Sequence, residues 1–142
     1  MWRNTFSIKR LFDFSGRATR REYFAILASV FGIWLVFLVA LGATYDPRPP
    51  GTPAPASDAF LGLVIFGLVG LSFVVTLAAL VRRVHDHDKS GVVILLNIIP
   101  LVGWIFWLIS ALTPGNPYEN SYGPDPRDPT AGEQGQLETI FS

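Results

Sequence analysis

Residues 59–91 read AFLGLVIFGLVGLSFVVTLAALVRRVHDHDKSG, and this stretch decides the fold class. Its first 23 residues carry no charged side chain, whereas the next ten contain two Arg, two His, two Asp and one Lys. An α-helix needs about 20 apolar residues to cross about 30 Å of hydrocarbon. The stretch therefore predicts a transmembrane helix that ends at a charged membrane surface.

Two further apolar segments have the same length and character. Residues 23–43 and residues 92–112 each contain 21 residues without a charge. Neither segment has a polar face at helical spacing, so neither reads as a surface helix. The sequence predicts an all-α membrane protein with three transmembrane helices, at about 23–43, 59–81 and 92–112.

Composition excludes several classes of protein. Half of the 142 residues are hydrophobic, only 15% are charged, and the formal net charge is zero. These values are incompatible with a disordered chain and with a generally basic protein that binds nucleic acid. The absence of Cys excludes a disulfide scaffold, a thiolate nucleophile and a Cys-ligated metal.

Lys and Arg are distributed unevenly along the chain. Residues 1–22 and 82–91 together hold nine of the 11, whereas residues 44–58 and 113–142 hold one each. Basic loops stay on the cytoplasmic side of a membrane. With three spans, we expect a multi-pass protein whose N-terminus is cytoplasmic and whose C-terminus is periplasmic or extracellular.

The segments outside the spans have distinct characters. Residues 46–55 contain five Pro and predict an extended, water-exposed linker. Residues 2–14 interleave aromatic side chains with Arg and Lys. This pattern is typical of a segment that lies in the membrane interface, and equally of a short N-terminal segment that packs on the helix bundle. The tail is rich in Pro and Gly and predicts irregular structure, so we expect a membrane domain over 1–126 and a mobile tail over 127–142.

The charged run after residue 81 has three interpretations. It is a solvated helix end that fixes topology, a weak metal site without Cys ligands, or an anion site at the start of the third span. We expect no metal and no cofactor. The residues that would hold an anion, an anionic lipid headgroup or a partner protein are Arg17, Arg20, Arg82, Arg83, His85, Lys89 and Ser90.

Two pairs of residues have predicted structural roles. Glu22 and Asp86 are expected to join a charge network that links residues 17–22 to residues 82–90 within about 10 Å. Pro100 should kink the third span and free a carbonyl, and Asn97 should bond to a freed carbonyl or to a neighbouring helix.

Three ordered segments carry a family resemblance. Residues 14–24 (FSGRATRREYF) resemble F-x-G-R-x-x-R-x-E-Y-W, residues 82–91 resemble R-R-L-H-D-x-x-K-S-G, and residues 120–126 (NSYGPDP) resemble N-x-[YF]-G-x-D-P. Together they are similar to the DUF805 family of small bacterial inner-membrane proteins. The departures are Phe24 in place of Trp, and two Val in place of a Trp pair after Gly91. The resemblance implies an integral inner-membrane protein and implies no reaction.

Three functions remain open from the sequence. The first is a non-enzymatic module that binds anionic phospholipid or a membrane protein at a cytoplasmic basic face. The second is a subunit of an oligomeric transporter or channel, because so few spans would require a homo-oligomer. The third is an enzyme acting on lipid headgroups, with His85 as base and Asp86 orienting it.

Overall fold

The computed structural model describes residues 7–44, 49 and 55–128, and these residues are helical without a β-strand. The all-α prediction is confirmed for this part of the chain. The elements, in order, are α1 (Ile8–Leu11), α2 (Arg20–Thr44), α3 (Ala56–His85), a 3-10 helix (Gly91–Ile98) and α4 (Val102–Leu112).

Two of these helices are long and apolar enough to cross a membrane. They are α2, with 25 residues, and the portion Ser57–His85 of α3, with 29 residues. The mean hydropathy of their most apolar windows is 2.7 and 2.6. At 1.5 Å per residue, both exceed the thickness of the hydrocarbon.

The core lies where the start of α2 meets the end of α3. Tyr23 and Ile26 of α2 are fully buried and pack in one cluster with Ala79 of α3. Further from this core, Trp34 Nε1 donates to Ser72 Oγ at 3.0 Å and holds the two helices together. The outer faces of both helices remain apolar and exposed, as lipid-facing surfaces are.

The third apolar segment departs from the sequence prediction. Residues 92–112 do not form one helix, because the chain reverses between the 3-10 helix and α4. Leu101 has φ +67°, and the Val102 N–H donates to the Pro100 carbonyl at 2.9 Å, which defines a strained γ-turn. The prediction of one transmembrane helix kinked at Pro100 is therefore wrong. It failed because hydropathy depends on the composition of a segment and does not show whether the segment forms one continuous helix.

The 3-10 helix and α4 form a hairpin. A Cβ added to Gly103 would lie 2.5 Å from Asn97 Cα, so only Gly fits where the two arms cross. Eight residues of 3-10 helix and 11 residues of α-helix each rise about 16 Å, roughly half of the hydrocarbon thickness. Trp107 Nε1 donates to the Tyr23 hydroxyl at 2.7 Å and ties α4 to α2.

The hairpin returns the chain to the end of the bundle where α2 begins and α3 ends, which we call the charged end. There the Asn116 N–H donates to the Asp86 carbonyl at 2.8 Å, and Arg17 Nη1 donates to the Tyr118 carbonyl at 2.7 Å. The described tail, which reaches residue 128, thus contacts the segment before α2 and the end of α3, and the predicted placement of the tail on the opposite side of the membrane is not confirmed.

The described tail, residues 113–128, contains turns and one isolated β-bridge between Asn120 and Gly123. The side chain of Arg127 is held by Asp125, since Arg127 Nε donates to Asp125 Oδ1 at 2.8 Å. Most of the segment predicted to be mobile lies outside the described residues, as do residues 1–6. Of the predicted linker 46–55, only residues 49 and 55 are described.

Candidate functional site

Five ionisable side chains are buried together at the charged end. This charge cluster consists of Arg17, Glu22, Arg82, Arg83 and Asp86. Each is at most 7% exposed, and Arg83 has no exposed surface. An unpaired buried charge costs several kcal/mol by general estimates, so the chain must supply partners. Only Arg82 Nη2 is buried without a hydrogen-bond partner among the described residues.

Glu22 is held by two arginines from different elements. Its Oε1 accepts from Arg82 Nη1 at 3.0 Å and from Arg10 Nε at 2.8 Å, and its Oε2 accepts from Arg10 Nη2 at 3.0 Å. The Glu22 N–H donates to Thr19 Oγ1 at 3.2 Å, so Thr19 caps the start of α2. These bonds join the start of α2 to the end of α3 and to α1.

Asp86 is also shared by two arginines. Its Oδ1 accepts from Arg17 Nε at 2.9 Å, its Oδ2 accepts from Arg83 Nη1, and Arg17 Nη2 lies 2.8 Å from Oδ1. Because hydrogen bonds between ionised partners are the strong ones in proteins, Asp86 cross-links the segment before α2 to the end of α3.

Backbone carbonyls of the hairpin and tail satisfy the rest of the two guanidinium groups. Arg17 donates to the carbonyls of Asn116, Tyr118 and Gly123. Arg83 Nε donates to the Ser110 carbonyl at 2.9 Å, and its Nη2 donates to the Thr113 carbonyl. The tail is thus part of the charge cluster.

Both histidines bond to backbone. His85 Nδ1 lies 3.2 Å from the Gly16 carbonyl, and its ring stacks on Tyr122 with 3.7 Å between centroids. His87 Nε2 lies 3.1 Å from the Ser110 carbonyl. Burial lowers the pKa of His87 below its usual 6.5, against the raising effect of that hydrogen bond, so the ring is neutral at pH 7.

The family model described as "Protein of unknown function (DUF805)" matches residues 11–124. The chain belongs to the DUF805 family. It is 32% identical over 120 residues to the inner membrane protein YhaH of Escherichia coli K12, covering 84% of this chain and 92% of the relative. It is also 32% identical over 125 residues to the inner membrane protein YhaI of the same strain, covering 84% and 91%. No solved structure matches it.

The three segments that carry the DUF805 resemblance are the ones that build the cluster. Residues 14–24 supply Arg17 and Glu22, and residues 82–91 supply both remaining arginines and Asp86. Residues 120–126 supply the Gly123 carbonyl for Arg17. In this DUF805 chain the segments are distant in sequence and converge on one set of ion pairs.

The structure divides the predicted anion-binding residues into two groups. Arg17, Arg82, Arg83 and His85 are buried and bonded within the chain. Arg20, Lys89 and Ser90 are exposed, although Arg20 Nη1 donates to the Leu112 carbonyl at 2.9 Å. Ser90 caps the 3-10 helix, since its Oγ accepts from the Val92 N–H at 3.4 Å. A single site containing all seven residues does not form.

Sequence reasoning missed three features of this DUF805 cluster. Arg10 was not predicted as a partner of Glu22, and the tail carbonyls were not predicted as acceptors. Gly115 was also missed, although a Cβ there would lie 1.7 Å from Asp86 Oδ2. Only the resemblance around residues 120–126 gave a signal that the tail belongs to the site.

Metal chemistry has no visible ligand set here. Within residues 7–44, 49 and 55–128, no three His, Asp or Glu side chains gather in a way that could hold an ion. The Asp86 carboxylate bonds to arginines rather than to the His85 ring. The cluster therefore holds segments of the chain together.

The exposed part of the charged end is amphipathic. Ile8, Phe12 and Phe14 are 76%, 42% and 41% exposed, and Lys9 beside them is exposed as well. Arg10 anchors this segment to Glu22, so it is held against the bundle. An apolar surface bordered by cations, next to the ends of two long apolar helices, matches the chemistry of a membrane interface.

Proposed function

We propose that this DUF805 chain is a non-catalytic module of the bacterial inner membrane that binds anionic lipid headgroups at its cytoplasmic face. The contact surface, which we call the N-terminal surface, consists of Ile8, Lys9, Phe12 and Phe14, and we add the exposed Arg21 from the first turn of α2. The exposure of Ile8, Phe12 and Phe14 next to Lys9 is the observation that carries the proposal.

The proposed topology has two spanning helices and one re-entrant hairpin. Helices α2 and α3 cross the membrane, the hairpin enters from the charged end and returns to it, and both described ends of the chain are cytoplasmic. Arg48 is the only one of the 11 Lys and Arg residues between residues 22 and 81. The positive-inside rule supports this topology better than three spans, since it leaves a single basic residue outside.

The geometry favours a binding module over the two alternatives. A lipid enzyme would use His85 as a base, but His85 is 8% exposed and stacked on Tyr122. A transporter subunit usually carries an ionisable group within its spans, and residues 24–43 and 59–81 contain none. The binding module needs only the exposed groups that the charged end already presents.

Topology is tested with single cysteines, because the natural chain has none. Glu119→Cys, on the exposed tail, should react with a membrane-impermeant maleimide only after spheroplasts are opened. Thr52→Cys, between the two spanning helices in sequence, should react in intact spheroplasts. Labelling of both positions in intact spheroplasts would restore the three-span arrangement.

Lipid binding is tested by native mass spectrometry of the protein released from detergent. We expect the natural chain to retain phosphatidylglycerol or cardiolipin in preference to phosphatidylethanolamine. The double variant Lys9→Gln/Arg21→Gln should lose that preference, because the cations at the N-terminal surface are gone.

Lys89→Gln is the control, and it is compared with Lys9→Gln alone as well as with the double variant. Lys89 is exposed and its substitution removes the same single charge as Lys9→Gln, but it lies in the loop after α3. It should keep the preference for anionic lipid. Equal loss in both variants would show a response to net charge alone, and unchanged retention in the double variant would contradict the lipid surface and favour a protein partner.

A further inference from the structure

Asn97 places an amide in the apolar part of the hairpin. It is the seventh residue of the 3-10 helix, so it lies about 12 Å along the arm from Gly91 at about 2 Å per residue. The side chain is exposed, and the residues that follow it, Ile98 and Ile99, are 76% and 50% exposed. The amide therefore faces hydrocarbon in the topology proposed above, on which this step rests.

Within the described part of the chain, the side-chain amide of Asn97 has a hydrogen-bond partner for only one of its polar groups. Asn97 Nδ2 donates one hydrogen to the Ile94 carbonyl at 2.9 Å. Its second Nδ2 hydrogen and its Oδ1 have no partner among the described residues. Lipid tails offer no hydrogen bonds, and an unsatisfied amide in hydrocarbon costs several kcal/mol by transfer scales.

The surroundings leave room for a partner. A pocket of about 350 Å³ is lined by Asn97, Gly103, Trp104 and Trp107. Trp107 Nε1 already donates to Tyr23, whereas the Trp104 indole is 71% exposed. The exposed Asn97 side chain lies at this pocket, so its amide is accessible to a partner.

The unsatisfied groups of Asn97 are self-complementary. One donor and one acceptor remain on the same amide, so two copies related by a twofold axis can exchange two N–H···O bonds. A polar side chain hydrogen-bonded across helices is a recurrent source of association in membranes. A second copy of this chain is the simplest partner that satisfies both groups at once.

We propose that the hairpin is a homodimer contact in which Asn97 of one copy pairs with Asn97 of its partner, flanked by the exposed Trp104 indoles. This role differs from that of the N-terminal surface, which lies at the charged end. Experiments distinguish the two proposals. Variants of Lys9 and Arg21 test lipid binding at the N-terminal surface, whereas variants of Asn97 test the dimer contact at the hairpin.

Association is measured by sedimentation equilibrium in a density-matched detergent. Asn97→Leu should weaken the dimer about threefold to thirtyfold, the range for hydrogen bonds across membrane helices. Asn97→Gln, which keeps an amide, should retain more of the association than Asn97→Leu. Ile98→Leu, an equally exposed neighbour without polar groups, should leave the dissociation constant unchanged.

Crosslinking in native membranes locates the contact and does not depend on detergent. Ile98→Cys should form a dimer with a short bismaleimide, and Phe66→Cys, 77% exposed on α3, should not. Adding Asn97→Leu to Ile98→Cys should reduce the yield. Circular dichroism confirms that each variant keeps its helices.

Three results would overturn the proposal. A natural chain that stays monomeric at every concentration has no such contact. A dimer that Asn97→Leu leaves intact uses another surface. A monomer that retains a neutral lipid, lost in Asn97→Leu, would assign the pocket to that lipid instead.

Discussion

Gly115 lies directly against the carboxylate of Asp86. A Cβ added at Gly115 would come within 1.7 Å of Asp86 Oδ2, so the tail passes closer to this ion pair than any side chain would permit. The approach brings the Asn116 N–H within 2.8 Å of the Asp86 carbonyl. The position of the tail is therefore set by contact with a charged residue in the core of the cluster.

Gly115→Ala should detach the tail from the charge cluster. The methyl group cannot be accommodated without moving the carboxylate, and overpacking of this kind costs about 1–3 kcal/mol. Hydrogen exchange should speed up at the Asn116 amide, and the free energy of unfolding should fall. Gly32→Ala is the control, because nothing lies within 4 Å of a Cβ at Gly32; comparable loss in both variants would argue against the close contact.

Asp86→Asn should be strongly destabilising. It removes the negative charge shared by Arg17 and Arg83 and leaves two buried guanidinium groups uncompensated, which costs about 3–5 kcal/mol when a buried pair is broken. Unfolding measured by steric trapping in bicelles reports the loss. Glu119→Gln removes the same charge at an exposed site and should change stability by less than about 0.5 kcal/mol.

Stability should fall in mild acid because of His87. Burial places the pKa of folded His87 below the usual 6.5, so the unfolded chain binds a proton that the folded chain resists. Stability from this group is complete above pH 6.5 and is lost as the pH falls through the folded pKa. Unfolding free energies measured between pH 8 and pH 5 should decline below about 6.5. His87→Gln should reduce that decline and leave the part due to His85, whose pKa burial also lowers; an identical pH profile would contradict the role of His87.

Asp125 should make stability depend on pH in a more acidic range than His87 does. Burial raises its pKa, but hydrogen bonds with Arg127 lower it below 3.8 on balance. Its contribution is present above pH 3.8 and disappears as the pH falls through the folded value. Asp125→Asn should therefore lower stability above about pH 4 and remove the further loss of stability below about pH 4, which separates it from the His87 effect in the same titration.

Gly103→Ala should separate the arms of the hairpin. A Cβ there would lie 2.5 Å from Asn97 Cα, and backbone cannot move aside as a flexible side chain does. We expect faster hydrogen exchange over Gly91–Ile98 and a loss of about 1–3 kcal/mol in stability. Gly67→Ala on α3 meets open space and serves as the control; unchanged exchange in Gly103→Ala would show that the arms do not cross as described.

Hydropathy predicted α2 and α3 because an uninterrupted apolar run leaves few alternatives to a helix. Both helices extend beyond the predicted spans, and α3 continues through Arg82 and Arg83 to His85. The charges did not end this helix because their partners lie within the fold, on α2 and in the hairpin.

The hairpin and the tail could not be predicted from residue types alone. A γ-turn at Leu101 and a close crossing at Gly103 convert an apolar run of spanning length into two short arms. The described tail bonds mainly through carbonyls, which every residue carries, so its Pro and Gly content did not indicate its attachment. The charge network between residues 17–22 and 82–90 was easier to predict, because opposite charges at adjacent helix ends have few other partners.

Besides Asp86, Arg17 and Arg83 donate to backbone carbonyls in residues 110–123, which are close to the last of the described chain to leave the ribosome. In the proposed topology, both guanidinium groups must stay hydrated at the membrane surface while α2 and α3 are being inserted. Assembly of this end is consequently completed only after translation of the hairpin, and a nascent chain stopped before residue 110 holds two inserted helices whose arginines still await their acceptors.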